Sequence, residues 1–253
     1  MRLQGKTALV TGAASGFGEG IARRFAAEGA RVVLFDLNGD GARQVAGAIE
    51  AEGGTARAVA GDVTSADDTR SALDAAIALG DGRLDIAVGN AGWTHRNKPI
   101  MEVSEEEFDR AYAVNVKALF HLVRAVVPHM RERGGGALLL TGSTAGDRPR
   151  PGLTWYNSTK GAVNTLTRSL AAELAPDAIR VNCIAPVIGA TGLLETFMGV
   201  PDTPENRARF VATIPLGRMS TPADIAAAAL YLCSDEAEFI TGVVMPVDGG
   251  RTI

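Results

Sequence analysis

Cysteine, histidine and long apolar runs are scarce in this sequence of 253 residues. The two cysteines, Cys183 and Cys233, both lie in apolar runs, so we expect them to be buried and reduced, with no disulfide between them. The sequence has only three histidines and no cluster of ligand residues, which argues against a metal site.

Two further absences concern partners. The net charge is −4 and no basic block is present, which argues against nucleic acid as the main partner. No apolar run reaches the length that spans a membrane, and no charged start followed by a long apolar run marks a signal peptide. We therefore expect a soluble cytoplasmic protein that does not associate with membranes.

Strand-like and helix-like segments alternate along the whole chain. Short apolar runs predict strands at 7–11, 31–35, 55–60, 84–88, 137–141, 179–184 and 243–247. Repeated βα units of this length predict a single α/β domain over 1–253, with a doubly wound parallel sheet of seven strands and helices on both faces. Residues 186–216 lack clear periodicity, and we expect a substrate loop or lid at about 187–213.

A glycine-rich turn joins the first strand to the first helix, with Gly12, Gly16 and Gly18 at the spacing G-x-x-x-G-x-G and Ser15 and Phe17 between them. Such a turn directs backbone N–H groups and the positive end of the helix toward a pyrophosphate. The alternative is a tight turn that binds nothing. Its position at the first βα junction favours a Rossmann-like dinucleotide site.

Asp36 ends the second strand, about twenty residues beyond the glycines, and Leu37 follows it. A carboxylate there would accept hydrogen bonds from the adenosine ribose and repel a 2′-phosphate. No arginine stands in the glycine turn or next to Asp36 to hold a second phosphate. We therefore expect NAD rather than NADP, although Asp36 could also be a simple turn residue.

Tyr156 and Lys160 lie four residues apart in a helix-forming segment, so both side chains share one face. A free phenol has a pKa of about 10, and a neighbouring ammonium is expected to lower it. Ser143 lies upstream, where its hydroxyl could hold a carbonyl oxygen. On spacing alone, the pair is more often solvated surface than catalytic.

Taken together, these motifs resemble the short-chain dehydrogenase/reductase family along the entire chain. The matching residues, in order, are Thr11, Gly12, Gly16, Gly18, Asp62, Asn90, Ala91, Gly92, Asn115, Ser143, Tyr156, Lys160, Pro186 and Thr191, with Ile240–Gly242 and Asp248–Gly250 near the end. One match could arise by chance, whereas the ordered set at the family's spacing is specific.

The resemblance implies a role for each matched position. The glycines would cradle the pyrophosphate, Asp36 the ribose, and Asp62 with Val63 the adenine. Asn90 would brace the central strands beside the cofactor, and Thr191 would contact the nicotinamide carboxamide. Among the catalytic residues, Ser143 would hold the substrate oxygen, Tyr156 would exchange the proton, and Lys160 would hold the nicotinamide ribose. Asn115 would position a water that leads protons away through Lys160; considered alone, it would be a solvated residue at a helix kink.

Two departures from the family pattern stand out. The family usually has glycine directly after the proline at Pro186, and here Val187 stands there. The loop beside the nicotinamide could therefore follow another path, which bears most on Thr191. Position 89 is Gly89 where the family often has asparagine, which we expect to matter little.

These features predict an enzyme that transfers hydride between NAD and a secondary alcohol or ketone. Alternatives are a 3-oxoacyl-thioester reductase, a sensor that binds the dinucleotide without turnover, and lyase or epimerase chemistry. The resemblance also implies a homotetramer. Cations in the expected pocket walls could attract a carboxylate or phosphopantetheine group, or could be solvated loop charges; they are His95, Arg96, Lys98, Arg148 and Arg150.

Overall fold

Seven parallel strands form one sheet in the computed structural model, which describes residues 1–253. The strands are β1 (Thr7–Thr11), β2 (Arg31–Asp36), β3 (Thr55–Ala60), β4 (Ile86–Gly89), β5 (Gly136–Thr141), β6 (Ile179–Pro186) and β7 (Val244–Val247). Their order across the sheet is β3-β2-β1-β4-β5-β6-β7. The order reverses between β1 and β4, so the predicted doubly wound, Rossmann-like sheet is confirmed.

Nine α-helices cover the sheet. They are α1 (Gly16–Ala27), α2 (Gly39–Ala51), α3 (Ala66–Leu79), α4 (Glu105–Tyr112), α5 (Ala118–Glu132), α6 (Thr154–Leu174), α7 (Leu194–Met198), α8 (Pro204–Val211) and α9 (Pro222–Cys233). None of them is both long enough and apolar enough to cross a membrane.

The core divides into two layers, one on each face of the sheet, because successive strand residues point to opposite faces. In β1, Val10 packs into a cluster with α1, α2 and α9, whereas Leu9 packs into a second cluster with α3, α5 and α6. Helices α1 and α9 approach closely: a Cβ built on Gly20 would lie 2.7 Å from the Cβ of Pro222. Helix α1, which begins in the glycine turn, is therefore packed against α9, the last helix of the chain.

Two helix starts follow from local signals in the sequence. Ser104 and Glu107 form a capping box at the start of α4, and Thr221 and Asp224 form one at α9, where proline occupies the first position. The cysteines Cys183 and Cys233 are buried and free, as predicted.

Two segments contain elements that the sequence did not predict. The segment 187–213 contains helices α7 and α8 rather than only irregular chain; both are short, and α7 ends at Gly199 with a positive φ of 73°. The expected continuous helix from 114 is interrupted at its start by a π turn, Ala113–Lys117, between α4 and α5. A π turn inserts one extra residue and is frequent at functional sites.

Candidate active site

A cavity of about 430 Å³ lies at the carboxyl ends of the strands, across the reversal between β1 and β4. Open α/β sheets bind ligands at this point. The predicted cofactor and catalytic residues all line the cavity except Gly18 and Asn115, which lie just behind its wall. The structure thus brings together positions spread from Gly12 to Thr191.

The glycine turn leaves no room for side chains. Gly12 has a φ of 65°, and a Cβ there would lie 2.8 Å from the Cα of Ala91. A Cβ on Gly18 would lie 2.0 Å from the carbonyl oxygen of Gly12. Only glycine fits these two positions, which lets the backbone approach a ligand closely.

The amino end of α1 is open toward the cavity. Ser15 occupies the N-cap position, yet its side chain accepts no hydrogen bond from the helix. Phe17 also lines the cavity, and its ring lies 2.4 Å from the position a Cβ on Gly189 would take. The first N–H groups of α1 are therefore available to an anionic ligand such as a pyrophosphate.

Asp36 lies at the end of β2, beside the glycine turn. Its Oδ2 accepts a hydrogen bond of 2.9 Å from the N–H of Ala14, and its Oδ1 accepts one of 2.8 Å from Asn38. Leu37, next in the chain, is exposed at the rim of the cavity. Asp36 is thus more than a turn residue, because its carboxylate also fixes the glycine turn.

Asp62 and Val63 line the cavity just after β3. The Oδ1 of Asp62 accepts a hydrogen bond of 2.8 Å from Thr64, and its own N–H donates to Asp68 over 2.8 Å. These bonds hold the segment in place beside Asp36, at the end of the cavity formed by β2 and β3.

Asn90 joins three strands. Its Nδ2 donates to the carbonyl oxygens of Thr11 and Gly12 over 3.0 and 3.1 Å, and its Oδ1 accepts from Thr141 over 3.3 Å. Ala91 and Gly92 continue from it along the cavity wall. The side chain therefore ties β4 to the ends of β1 and β5, in the position expected of a brace.

Ser143, Tyr156 and Lys160 converge at the other end of the cavity. Ser143 follows β5, while Tyr156 and Lys160 lie in the first two turns of α6 and are only 6% and 4% exposed. The Nζ of Lys160 lies 5.7 Å from the centre of the Tyr156 ring and donates to the Thr141 carbonyl over 2.8 Å. The surface-pair alternative is excluded by this burial.

The expectation that Lys160 lowers the pKa of the Tyr156 phenol was wrong for the protein without a bound cofactor. Burial raises the pKa of Tyr156 to about 12, and a hydrogen bond with the Ser143 hydroxyl offsets only part of this rise. Burial also lowers the pKa of Lys160 to about 8. Removal from water disfavours the charged form of each group, and it is the largest cause of both pKa shifts.

Asn115 lies in the π turn and is buried, so it is not a solvated kink residue. Its Nδ2 donates to the Trp93 carbonyl over 2.8 Å and to the Thr159 hydroxyl over 3.0 Å, and its Oδ1 accepts from the Trp93 N–H over 2.8 Å. A Cβ built on Gly92 would lie 3.5 Å from Asn115 Oδ1 and 3.7 Å from Lys160 Nζ. Asn115 thus fixes the wall next to Lys160.

The loop after β6 returns to the glycine turn despite Val187. Pro186, Val187 and Thr191 all line the cavity, and a Cβ on Gly16 would lie 3.4 Å from the Thr191 methyl. Val187 is buried, and its N–H continues the pairing toward β7 by donating to Val247 over 3.4 Å. Replacing glycine with valine has therefore not moved Thr191 out of the cavity.

Comparison with known proteins agrees with this geometry. A family model described as "Enoyl-(Acyl carrier protein) reductase" matches residues 12–252. The chain belongs to the short-chain dehydrogenase/reductase family. Its relatives in this family are named dehydrogenases, and the chain is an oxidoreductase that acts on CH–OH groups.

Several members of the family match this dehydrogenase/reductase over nearly their whole length. The 4-formylbenzenesulfonate dehydrogenase TsaC1/TsaC2 of Comamonas testosteroni is 49% identical over 100% of both chains. The 7alpha-hydroxysteroid dehydrogenase of Escherichia coli K12 is 40% identical, over 99% of this chain and 95% of the relative. The crystal structure of a 3-ketoacyl-(acyl-carrier-protein) reductase from Brucella melitensis, complexed with NADH, has a TM-score of 0.92 and 46% identity, over 99% and 100% of the two chains.

In this dehydrogenase/reductase, helix α7 covers Tyr156. Phe197 packs against Tyr156 in a T-shaped contact with 5.0 Å between ring centres, and Leu193 lines the same cavity. Leu194 and Met198, on the other side of α7, are buried against Met219. The four apolar residues therefore divide between the cavity and the body of the protein.

The five cations that the sequence predicts for the pocket walls have different surroundings in the structure. His95 is buried with its Nδ1 2.8 Å from the Arg96 carbonyl, Arg96 donates to the Gly199 carbonyl, and Lys98 pairs with Glu107. Arg148 donates to the Arg251 carbonyl. Of the five predicted cations only Arg150 lines the cavity.

Sequence reasoning missed several contributors to the site. Arg110 lines the cavity from α4 with its guanidinium 5.0 Å from the centre of the Trp93 ring. Thr141 receives the Lys160 hydrogen bond through its carbonyl oxygen, and Thr159 receives that of Asn115. No local pattern identifies these residues, since their contacts are with segments far away in the chain.

Proposed function

We propose that this protein is an NAD(H)-dependent oxidoreductase that interconverts a secondary alcohol and a ketone through Tyr156, Ser143, Lys160 and Asn115. The observation that carries the proposal is the burial of Tyr156 and Lys160 beside Ser143, in the same cavity that begins at the glycine turn. A sensor needs the glycine turn but not a buried phenol and ammonium at the far end.

The residues present fit a dinucleotide. The uncapped start of α1 and the closely packed glycine turn suit a pyrophosphate, while Asp36 and Asp62 line the cavity where ribose and adenine would follow. Thr191, which lies beside Gly16, would contact the nicotinamide end. When bound, the nicotinamide ring supplies the acceptor or donor of hydride.

Tyr156 holds the proton that is exchanged with the substrate oxygen. Because burial raises its pKa to about 12, the phenol is protonated at neutral pH and ready to donate to a ketone. Alcohol oxidation requires the phenolate, so its rate is expected to rise with pH. Ser143 would orient the substrate oxygen by a hydrogen bond.

Lys160 would stabilise the phenolate as it forms, and its Nζ is anchored on the Thr141 carbonyl. A pKa of about 8 allows this ammonium to release a proton near neutral pH. Asn115 keeps Trp93 and α6 in register around it. Phe197 lies over the Tyr156 ring and excludes water from that side.

The test compares two tyrosine variants. Tyr156→Phe removes the buried hydroxyl and should lower kcat by about 10²- to 10⁴-fold, the contribution typical of general acid–base catalysis, with NAD⁺ affinity nearly unchanged. Tyr112→Phe is the matched control. The Tyr112 hydroxyl is hydrogen-bonded to Ser158 at 3.0 Å, and neither residue lines the cavity. NADH formation with a panel of secondary alcohols and NAD⁺ titration give the two readouts. Equal turnover by Tyr156→Phe and wild type would reject the assigned acid–base role.

A second candidate, reduction of a 3-oxoacyl thioester, is favoured by the similarity to the Brucella melitensis protein. The two candidates differ in the substrate. Faster oxidation of NADH with a 3-oxoacyl thioester than with any simple ketone would support the second candidate. The reverse order supports the proposed function.

A further inference from the structure

The substrate end of the cavity carries positive charge without a matching carboxylate. The acidic residues that line the cavity are Asp36 and Asp62, which follow β2 and β3. Tyr156 and Ser143 lie on the other side of the strand reversal, beyond β5. There the lining contains Arg110 and Arg150 in addition to Lys160. This half of the cavity therefore favours an anion.

Arg150 is the cation with the least satisfied side chain. It is half-buried in the segment that leads into α6, and its Nη2 is buried without a hydrogen-bond partner. Its guanidinium lies 5.1 Å from the centre of the Phe210 ring, which supports the group without satisfying its donors. A buried donor without a partner is unfavourable unless a ligand or water supplies an acceptor.

The position of Arg150 is fixed relative to the catalytic residues. The Nδ2 of Asn157 donates to the Arg150 carbonyl over 2.8 Å, and Asn157 directly follows Tyr156 in α6. Leu153, three residues beyond Arg150, packs in the same small cluster as Tyr156. A group held by Arg150 would consequently be held at a defined distance from the reacting atoms.

The charges around Arg150 are also positive. Burial lowers the pKa of Arg150, and the cations Arg251 and Arg148 lower it further; no carboxylate raises it. Arg251 itself has a buried Nε without a partner. An ionised group in such surroundings is stabilised by a bound anion, which guanidinium binds through paired N–H donors.

The remaining walls define the rest of the ligand. Trp93, Leu153, Leu193 and Phe197 line the same cavity as Arg150 with apolar surface, and Leu153 and Phe197 also pack against Tyr156. Aromatic walls of this kind favour an apolar or ring-containing body.

We propose that Arg150 binds an anionic group, a carboxylate or sulfonate, on a substrate whose apolar ring-containing body carries the alcohol or carbonyl. Arg150 is a specificity-determining residue that touches the substrate away from the reacting carbon. The inference rests on the proposed function for its kinetic test, and a binding test is independent of turnover.

The kinetic test uses two alcohols that differ only in charge, 1-phenylethanol and 4-(1-hydroxyethyl)benzoate, with NAD⁺. Wild type should show a higher kcat/KM for the carboxylate. The ratio compared between proteins is kcat/KM for the carboxylate divided by kcat/KM for 1-phenylethanol. Arg150→Leu should lower this ratio by about 10- to 100-fold, as expected when hydrogen bonds to a charged group are lost. Arg150→Lys keeps a charge on a long side chain and should lose less.

Arg148→Leu is the matched control. It removes the same charge at a position two residues before Arg150, and the Arg148 side chain does not line the cavity. Because Arg148 acts on the site only through its charge, Arg148→Leu should change the ratio far less than Arg150→Leu does. A ratio near one in wild type, or equal ratios in wild type and Arg150→Leu, would overturn the assignment of Arg150 while the proposed function stands.

A calorimetric titration covers the case in which neither alcohol is oxidised and the proposed function fails. Benzoate, with benzamide as its neutral analogue, is titrated into the protein with and without NAD⁺. We expect benzoate to bind wild type at least about tenfold more tightly than Arg150→Leu, and benzamide to show no such difference. Equal benzoate affinity in both proteins, or no benzoate binding to wild type, contradicts the inference. Thermal unfolding of each variant establishes that it is folded.

Discussion

Replacing Lys160 with methionine should stabilise the protein at neutral pH while it abolishes catalysis. The lysine is 4% exposed, and burial lowers its pKa from 10.5 to about 8. The protein therefore keeps an ammonium where solvation is poor. Methionine has similar length and no charge, so it fills the same space without that cost.

The size of the effect follows from the pKa shift. One pKa unit corresponds to about 1.36 kcal/mol, so a fall from 10.5 to about 8 costs roughly 3 kcal/mol of stability below pH 8. The variant also loses the hydrogen bond that the ammonium donates to the Thr141 carbonyl, which is worth about 2 kcal/mol for a charged donor. The expected net gain in unfolding free energy at pH 7 is roughly 1 kcal/mol.

The pH dependence is the decisive signature. Between pH 8 and 10.5 the unfolded lysine keeps its proton while the folded one has released it. The unfolded state then binds more protons, so wild-type stability rises with pH through this window. The advantage of Lys160→Met should accordingly shrink as pH rises from 7 to 10.

Urea unfolding of both proteins at pH 7 and pH 10 measures this difference. Lys117→Met is the control, because Lys117 is exposed and its removal should give no comparable pH-dependent difference. A gap between Lys160→Met and wild type that is the same at both pH values would refute the claim that a buried ammonium is retained at neutral pH.

Two further predictions concern the cofactor end. Asp36→Ala removes the acceptor for the Ala14 and Asn38 N–H groups and the charge that would repel a 2′-phosphate. The ratio of kcat/KM for NAD⁺ to kcat/KM for NADP⁺ should therefore fall. A wild type that prefers NADP⁺ would contradict the reasoning. Gly18→Ala places a Cβ 2.0 Å from the Gly12 carbonyl oxygen and should weaken NAD⁺ binding and lower Tm. Gly47→Ala, in α2 with nothing within 4 Å of its Cβ, should instead stabilise by about 0.5–1 kcal/mol; equal effects of the two changes on NAD⁺ affinity would count against the glycine turn as the phosphate site.

The sequence alone was sufficient to predict the sheet and the glycine turn and to select the candidate catalytic residues. These depend on local physical rules: period-two and helical patterns of apolar residues, glycine where a Cβ cannot fit, and capping residues at Ser104 and Thr221. Local rules act between residues close in the chain, so they can be read without coordinates. Helices α7 and α8 were missed because they are only five and eight residues long, too short for a periodic signal.

Only the tertiary structure decided the state of the site. Lys160 was expected to lower the pKa of Tyr156, yet burial by distant segments raises it to about 12. Asn115 has its partners in Trp93 and Thr159, and Arg150 differs from its charged neighbours only by what surrounds it. Solvent exclusion and charge pairing depend on residues remote in sequence and near in space, which is why the chain's local patterns predicted the residues but not their protonation or their contacts.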